Sequence, residues 1–306
     1  FSKLSSTLID LTLLRIAIFV FGDMTQSSDA EGRVAVGGNA TFTNFGIGDR
    51  LIPDSGDTRL VVGGDLTYNG GQIFGGGAVV GAQVHTDVYF NCAPDCGVTQ
   101  ASPIDFDAAR THLTGYSQHL NSLGSTGTTD YRWGGIWLQA GNADLHIFDI
   151  DGSQFSGRSY LNLQGVNPEE TVVFNILGDR VEIANFGMNL GGVAPSQVLF
   201  NFTEASQIQT SGFSFNGSVL ATEADVNFSN GNVQGHFIAN SVAGSGEFHN
   251  VSFAGDLPTF APPEVPGGSP PEAIPETSPW LGVAVLGMGF GLRRWQQSQR
   301  RSQQRS

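Results

Sequence analysis

Apolar residues along this chain come in short runs cut by glycine and asparagine, not in long helical stripes. Between residues 16 and 90 the runs read IAIFVFGD, RVAVGGNATF, LVVGGDLTY and AVVGAQVHTDVYF. Runs of that length and punctuation predict β-strands. RVAVGGNATF (33–42) and RLVVGGDLTY (59–68) repeat one pattern 26 positions apart: Arg, aliphatics, Gly-Gly, Asn or Asp, a small or aliphatic residue, Thr, an aromatic. Gly63 and Gly81 stand 18 apart in matching contexts, as do Gly217 and Gly235 in FNGSVLA and VQGHFIA, and Gly255 follows 20 later. Such a glycine-marked period is the size of one turn of a β-solenoid. The 26-residue gap is then one turn plus the polar insertion GIGDRLIPDSGDT. In a solenoid each turn covers the next. Arg33 and Arg59 are expected to open equivalent rungs, Val36 and Val62 to point the same way, and Asn39 and Asp65 to bond freed backbone at a Gly-Gly corner.

One segment changes period. In SPIDFDAARTHLTGYSQHLNSLG (102–124), Phe106, Ala109, Leu113, Tyr116, Leu120 and Leu123 recur at spacings of three and four, the signature of an amphipathic helix. Ser102 is the expected N-cap, Pro103 the first helical residue, Asp105 the partner in a capping-box-like S-x-x-D, and Gly124 the stop. A helix of about 21 residues, roughly 30 Å long, could lie along the strands and cover one sheet face. Strand patterns then resume, from IWLQAGNADLHIFDID to EFHNVSFAG.

Two segments fall outside the β pattern. Leu11–Phe21 is apolar, but Arg15 interrupts it and no A-x-A site follows, so it reads better as a strand than as a signal peptide. A chain opening on Phe is expected to be processed or truncated, with a signal peptide upstream. From Asp256 the chain becomes Pro-rich (DLPTFAPPEVPGGSPPEAIPETSP), an extended linker. It leads into the 13-residue apolar WLGVAVLGMGFGL and an arginine-rich end. Thirteen apolar residues are short for a stable membrane span of about 20, while arginines hold a terminus on the cytoplasmic side. The order Pro-Glu, apolar segment, basic end reads as a sorting signal.

Composition narrows the function. Of 306 residues 42 are Gly, and only 14% are charged. Nine basic against 28 acidic residues precede Arg293, a net of −19, whereas five arginines and no acid occupy the last 14 positions. An acidic body excludes nucleic acid as a partner, because phosphate contacts need clustered Lys and Arg. The two cysteines, Cys92 and Cys96, lack further ligands for zinc and are expected to close a small disulfide loop in an exported protein.

The stretches EGRVAVGGNATFTNFGIG, LVVGGDLTYNGGQIFGGGAVVG, IDFDAARTHLTGYSQHL and VLFNFTEASQIQTSGFSFNGSVLATEADVNFSNGNVQGHFIANSVAGSGEFHNVSFAGDLP, in that order over residues 16–258, resemble the choice-of-anchor A domain of exported bacterial proteins. The tail is similar to the exosortase-processed PEP-CTERM type: Pro275 and Glu276 start the motif, Trp280–Leu292 form its apolar segment, and Arg293 and Arg294 begin its basic end. Thr277 stands where that pattern has Pro. Ile274–Ser278 also looks like a degenerate sortase signal, lacking its Leu and Gly. The resemblance implies a mainly β fold: a β-solenoid, parallel β-helix-like and comparable to ice-binding proteins, with one long amphipathic helix alongside and a C-terminal sorting helix. It divides the chain into a domain at 16–258, a Pro-rich linker at 259–279 and a hydrophobic and basic sorting tail at 280–306. An exosortase-type protease, the membrane before processing, and extracellular polysaccharide are the implied partners, and the cell surface or extracellular space the implied location.

Candidate chemistry is sparse. Asp144, Asp149 and Asp151, with Arg158 nearby, could form the carboxylate cluster and base of a polysaccharide lyase. Ca²⁺ in Asp/Asn/Gly turns is the cofactor left open, although no EF-hand or nonapeptide repeat is present. The six His (85, 112, 119, 146, 236, 249) lack metalloprotease spacing, and no G-x-S-x-G elbow or phosphate-loop motif occurs. Tyr131, Trp133 and Trp137 could stack a sugar or seal a helix–sheet junction. Thr41, Thr43 and Thr67 are too few to predict a regular ice-binding ladder. The expectation is a non-catalytic exported surface or matrix protein, structural or adhesive. Its alternative is a carbohydrate-binding or carbohydrate-cleaving solenoid, with ice binding below that.

Overall fold

A computed structural model describes residues 16–102 and 104–260. The first half runs β1 (Ile16–Val20), β2 (Met24–Ala30), β3 (Arg33–Val36), β4 (Ala40–Ile47), β5 (Thr58–Val62), β6 (Leu66–Ile73), β7 (Gly77–Val80) and β8 (Val98–Gln100), then the helix α1 (Phe106–Ser122). The second half runs β9 (Thr128–Arg132), β10 (Gly135–Gln139), β11 (Leu145–Asp151), β12 (Tyr160–Gln164), β13 (Thr171–Leu177), β14 (Arg180–Ala184), β15 (Gly187–Asn189), β16 (Val198–Phe202), β17 (Gln207–Ser211), β18 (Ser218–Ser229), β19 (Asn232–Gln234), β20 (Phe237–Gly244) and β21 (Glu247–His249).

The strands pair in parallel stacks. One stack runs β11, β13, β16, the first half of β18, the first half of β20, β1, β3, β5, β7, β8. A second runs β14, β17, the second half of β18, the end of β20, β2, β4, β6. A separate four-stranded sheet is ordered β15, β12, β10, β9, with β9 and β10 as its antiparallel hairpin. Spatial order therefore departs from chain order. The chain stacks outward from β1 to β8, and α1 carries it back. The second half starts at the opposite end and works inward until β20 docks on β1. Register puts Phe148, Phe174, Phe200, Val219, Phe237, Ile18, Val34, Leu60 and Ala78 in one inward row, and all are buried. Each rung hides its apolar side behind the next, so the strands read as continuous apolar runs.

The repeated Gly-Gly stretches stack as expected: Val36 pairs with Val62, Asn39 Oδ1 accepts from the Asp65 amide at 2.9 Å, and Asp65 Oδ1 accepts from the Gln83 amide at 2.9 Å. The reason for glycine is closeness, not left-handed backbone. A Cβ on Gly37, Gly63 or Gly81 would lie 2.3 Å from the carbonyl oxygen of Phe21, Gly37 or Gly63 respectively, and none of the three has positive φ. The two arginines diverge. Arg59 is 1% exposed, donating to the Ile52 and Gly75 carbonyls and pairing with Asp57 at 2.9 Å, so it pins the inserted loop; Arg33 reaches the same Asp57 from the rim. Gly255 is not a rung: residues 251–260 are irregular and run from Ser196 and Thr171, which bond the Ala254 and Asp256 amides, to α1, where Tyr116 Oη donates to the Pro258 carbonyl at 3.1 Å.

The helix begins later than its punctuation predicts. Asp105, not Ser102, is the N-cap, accepting from the Ala108 amide at 2.9 Å. Its carboxylate satisfies an orphan amide and faces the positive end of the helix dipole. Pro103 lies outside the described residues. The buried stripe is Ala109, His112, Leu113, Ser117 and Leu120, with Leu123 43% exposed. Ser117 belongs there because it meets a polar ladder: Asn175 Nδ2 donates to Asp149 at 3.0 Å, Asn201 Nδ2 to Asn175 at 2.9 Å, and Ser117 Oγ to Asn201 at 2.6 Å. Phe260 lies over Gly115, against His112 and His119. The apolar segment and basic end expected at 280–306 lie outside the described residues. Among the described ones no helix is long and apolar enough to cross a membrane.

His236 sits in the seam where β20 meets β1. Its Nδ1 bonds the Ile16 carbonyl at 2.7 Å, while Nε2 is buried without a hydrogen-bond partner. Burial lowers its pKa, and the Ile16 contact offsets this in part. The folded value thus lies below the unfolded value of about 6.5. The seam's contribution is complete above that pH and is lost as pH falls through it toward the folded value.

Two outcomes follow. Gly63→Ala should cost about 1–3 kcal/mol or more of unfolding free energy in urea titrations, as overpacking does, whereas Gly97→Ala, whose Cβ meets nothing within 4 Å, should stay within about 0.5 kcal/mol. Wild-type protein should lose more thermal stability between about pH 7.5 and about pH 5 than His236→Asn does; parallel pH profiles would refute the seam assignment.

Candidate functional site

The outward side of the second stack is polar along its length. Register places Glu182, Gln209, Asn227, Ala243, Thr25, Thr41 and Thr67 in one row. Behind them Val181, Ile208, Val226, Val242, Met24, Ala40 and Leu66 are buried. Seven parallel strands about 4.8 Å apart make this face about 29 Å long. Ser27, Thr43 and Asn69 form a flanking row across β2, β4 and β6. A shallow groove of about 340 Å³ opens around Ala243, between Asn227, Gln209, Asp225 and Thr25.

Local hydrogen bonds fix the carboxylates at the corners beside this face. Asp23 Oδ1 accepts from the Asn39 amide at 2.7 Å. Asp225 Oδ1 accepts from Asn240 Nδ2 at 2.7 Å and Ser241 Oγ at 2.6 Å. The Gln83 amide and His85 imidazole hold the Asp65 carboxyl below its usual range. Strand pairing sets the hydroxyls and amides of the row in register beside these fixed carboxylates, an arrangement suited to a repetitive polar surface. Sequence spacing identified Thr41 and Thr67 but missed Thr25, because β2 and β4 lie 16 residues apart where β4 and β6 lie 26 apart. The signal was the tripeptide: Asp23-Met24-Thr25, Asn39-Ala40-Thr41 and Asp65-Leu66-Thr67 are one motif in three copies.

Of the candidate catalytic groups, Asp149, Asp151 and Arg158 lie around the Tyr131 hydroxyl, each with a further partner of its own. Asp149 accepts from Asn175, and Asp151 caps the turn at 152–155 through the Ser153 amide and hydroxyl. Arg158 Nη1 donates to the Gln154 carbonyl, and its guanidinium lies 5.0 Å from the Tyr131 ring. The histidines are engaged separately: His85 with Asp65, His146 with Glu170 at 2.9 Å, and His249 beside Glu31 and Glu247. The Asn167 amide and His146 pull Glu170 down to about 2. No group of three or more His, Cys, Asp or Glu among the described residues could hold a metal ion. Cys92 and Cys96 are joined by a disulfide in the loop before β8. Pro275, Glu276, Thr277, Arg293 and Arg294 lie outside the described residues.

The aromatic cluster does not seal the helix junction; it stands on the four-stranded sheet. Trp133 and Gly134 have φ of 51° and 71°, the two central positions of a type I′ turn joining β9 to β10. Asn or Gly is the usual occupant of such a position, yet Trp133 fills it and is 75% exposed. Its ring is perpendicular to that of Trp137, 5.5 Å away, and Trp137 stands at 83° to Tyr160. The Arg132 guanidinium lies 4.5 Å from the Trp133 ring and 5.3 Å from that of Trp137.

Residues 15–250 match the family model pAdhesive_15, an ice-binding-like adhesive domain. No curated protein is significantly similar in sequence. Solved structures similar to the chain include an ice-binding protein DUF3494 domain from Shewanella frigidimarina, at 15% identity over 80% of this chain and 96% of that one with a TM-score of 0.43. A glycosylated ice-binding protein from an Arctic yeast matches at 15% identity over 83% and 95%, TM-score 0.41. An ice-binding protein from an Antarctic biological consortium matches at 12% identity over 78% and 87%, TM-score 0.37.

Trp133 is held against its backbone preference, so Trp133→Asn should relieve about 1 kcal/mol of left-handed strain while losing a comparable cation–π contact. Its urea midpoint should leave stability within about 0.5 kcal/mol of wild type; a large loss would make Trp133 a structural residue.

Proposed function

The chain belongs to the ice-binding-like adhesive domain family, and from that premise we propose that it is a non-catalytic adhesive protein of the bacterial cell surface or extracellular matrix. The observation that carries this reading is the in-register polar face across β14, β17, β18, β20, β2, β4 and β6. Its mechanism is presentation: many weak polar contacts from a preorganised surface add without a separate ordering cost for each. The parallel stacks of ten and seven strands are read as a β-solenoid scaffold. Asp149, Asp151, His85, His146 and His236 are tied into hydrogen bonds with neighbouring side chains or backbone, which supports a non-catalytic role. Ice is the less suited occupant, because Thr occupies only three consecutive positions of the row, Thr25, Thr41 and Thr67.

Delivery is part of the proposal. The domain at 16–258, the Pro-rich linker and the tail beginning at Pro275-Glu276 read as a choice-of-anchor A protein released or anchored by an exosortase-type protease, with transient membrane insertion of Trp280–Leu292 before cleavage.

Both halves are measurable in a host carrying the sorting protease. Full-length chain should be retained at the surface, and a chain truncated at Glu272 should not; equal retention would sink the sorting claim. A Thr41→Tyr, Asn227→Tyr double variant should reach the surface at wild-type level but lose most attachment to abiotic and biofilm surfaces, about tenfold or more if the face is the adhesive element. Undiminished attachment would discard the face.

A further inference from the structure

We infer that the outer face of the sheet β15–β12–β10–β9 is a second binding site, for a neutral hexopyranosyl polysaccharide. This deepens the adhesive reading by naming a ligand class, and it uses none of the residues of the polar face.

Trp137 sits at the centre of this face. Register sets Asp130 beside it on β9 and Asn162 beside it on β12, with Asn189 next on β15. Asn189 Nδ2 donates to Asn162 Oδ1 at 2.9 Å, so the two amides are locked edge to edge. Trp137 Nε1 donates to the Arg132 carbonyl at 3.1 Å, which fixes the indole. Gly135 makes room for Tyr160: a Cβ there would come within 2.6 Å of the phenol ring. The result is a set of immobilised rings beside planar hydrogen-bonding groups, on an outward sheet surface.

The chemistry of this set selects its ligand. Aromatic faces stack on the C–H-rich faces of pyranose rings, and tryptophan and tyrosine offer large rigid area at low conformational cost. Amides and the Asp130–Arg132 pair offer both donors and acceptors for hydroxyls. Charge decides between sugars. Asp130 and Arg132 neutralise each other at 3.1 Å, within a body of net charge −19 before Arg293. A polyanion such as alginate is repelled at long range, while a neutral chain is not. Trp133 then has a reason to occupy a hairpin position that its backbone disfavours: it extends the aromatic surface past the sheet edge.

The test is affinity gel electrophoresis of the full chain in gels containing mixed-linkage β-glucan, galactomannan or dextran, with alginate as the anionic control. At least one neutral polysaccharide should retard the wild-type protein. The apparent affinity should fall at least tenfold in Trp133→Asn and in Asn162→Ala, and stay unchanged in the Thr41→Tyr, Asn227→Tyr polar-face variant. A blue shift of tryptophan emission on adding the same polysaccharide should accompany retardation. No retardation in any neutral gel, stronger retardation by alginate, or retardation indifferent to Trp133→Asn would each overturn the inference. Loss of surface attachment in the polar-face variant with unchanged retardation would separate the two sites.

Discussion

The structure depends on one seam. β1 hydrogen-bonds to β3 on one side and to β20 on the other, with Ile18 opposite Phe237 and Val20 opposite Ala239. Residues separated by more than 200 positions thus sit on neighbouring rungs. Until the chain returns, β1 has an open parallel edge and the inward row ending at Ile18 has no cover. An open strand edge is a template for wrong pairing, and distant parallel pairings form slowly because loop closure precedes their reward. α1 addresses part of this. Its first turn meets Phe19 through Phe106 at 5.1 Å, and the segment after its last turn reaches β11 through Thr126 and Ile147. It spans the stack from the seam to the far end and so bridges the two series of rungs.

The far end shows how a parallel stack stops. Among the described residues β11 pairs with no strand but β13, yet its other edge is not bare. The Ile147 amide donates to Thr126 Oγ1, the Asp149 amide to Ser125 Oγ and the Asp151 amide to Tyr131 Oη, while Thr129 Oγ1 donates to the Asp149 carbonyl. Side chains replace the missing ladder and leave no register for a foreign strand. The same stretch, from Ser125 to Arg132, then turns at Trp133 into the aromatic sheet. End protection and the proposed sugar face are therefore built from one segment.

The repetitive part of this fold was legible in the sequence. Stacked Gly-Gly corners, the Asn39 and Asp65 bonds, the central helix and most strands follow from local pattern, because a turn of fixed size must repeat its corner chemistry. Pairing across the seam was not legible. Nothing local in IAIFVFGD says that its second neighbour lies at 237–239, and apolar runs fit any inward row equally well. The helix start misled for a related reason: Ser102 and Asp105 are both competent caps, and burial of the first turn against Phe19 and Gly37, not cap chemistry, selects between them.

The candidate faces were harder still, because each is a property of register. Thr67 falls in line with Thr25 and Thr41 only because the loop between Ile47 and Thr58 is folded out of the way and held there by Arg59. Leave the ten residues 48–57 out of the count and the three Asx-apolar-Thr motifs fall into step, 16 positions apart. Trp137 and Tyr160, 23 residues apart in the chain, become neighbours only because Gly135 pairs with Tyr160. In a stacked β protein the core tolerates variation in turn length, since any apolar residue can fill an inward position. A functional row does not, since it needs one side-chain type at successive rungs. The row of three threonines ends where β20 contributes Ala243 in place of a fourth, at the rung where the second half of the chain meets the first. The seam that closes the fold therefore also sets the limit of its most regular surface.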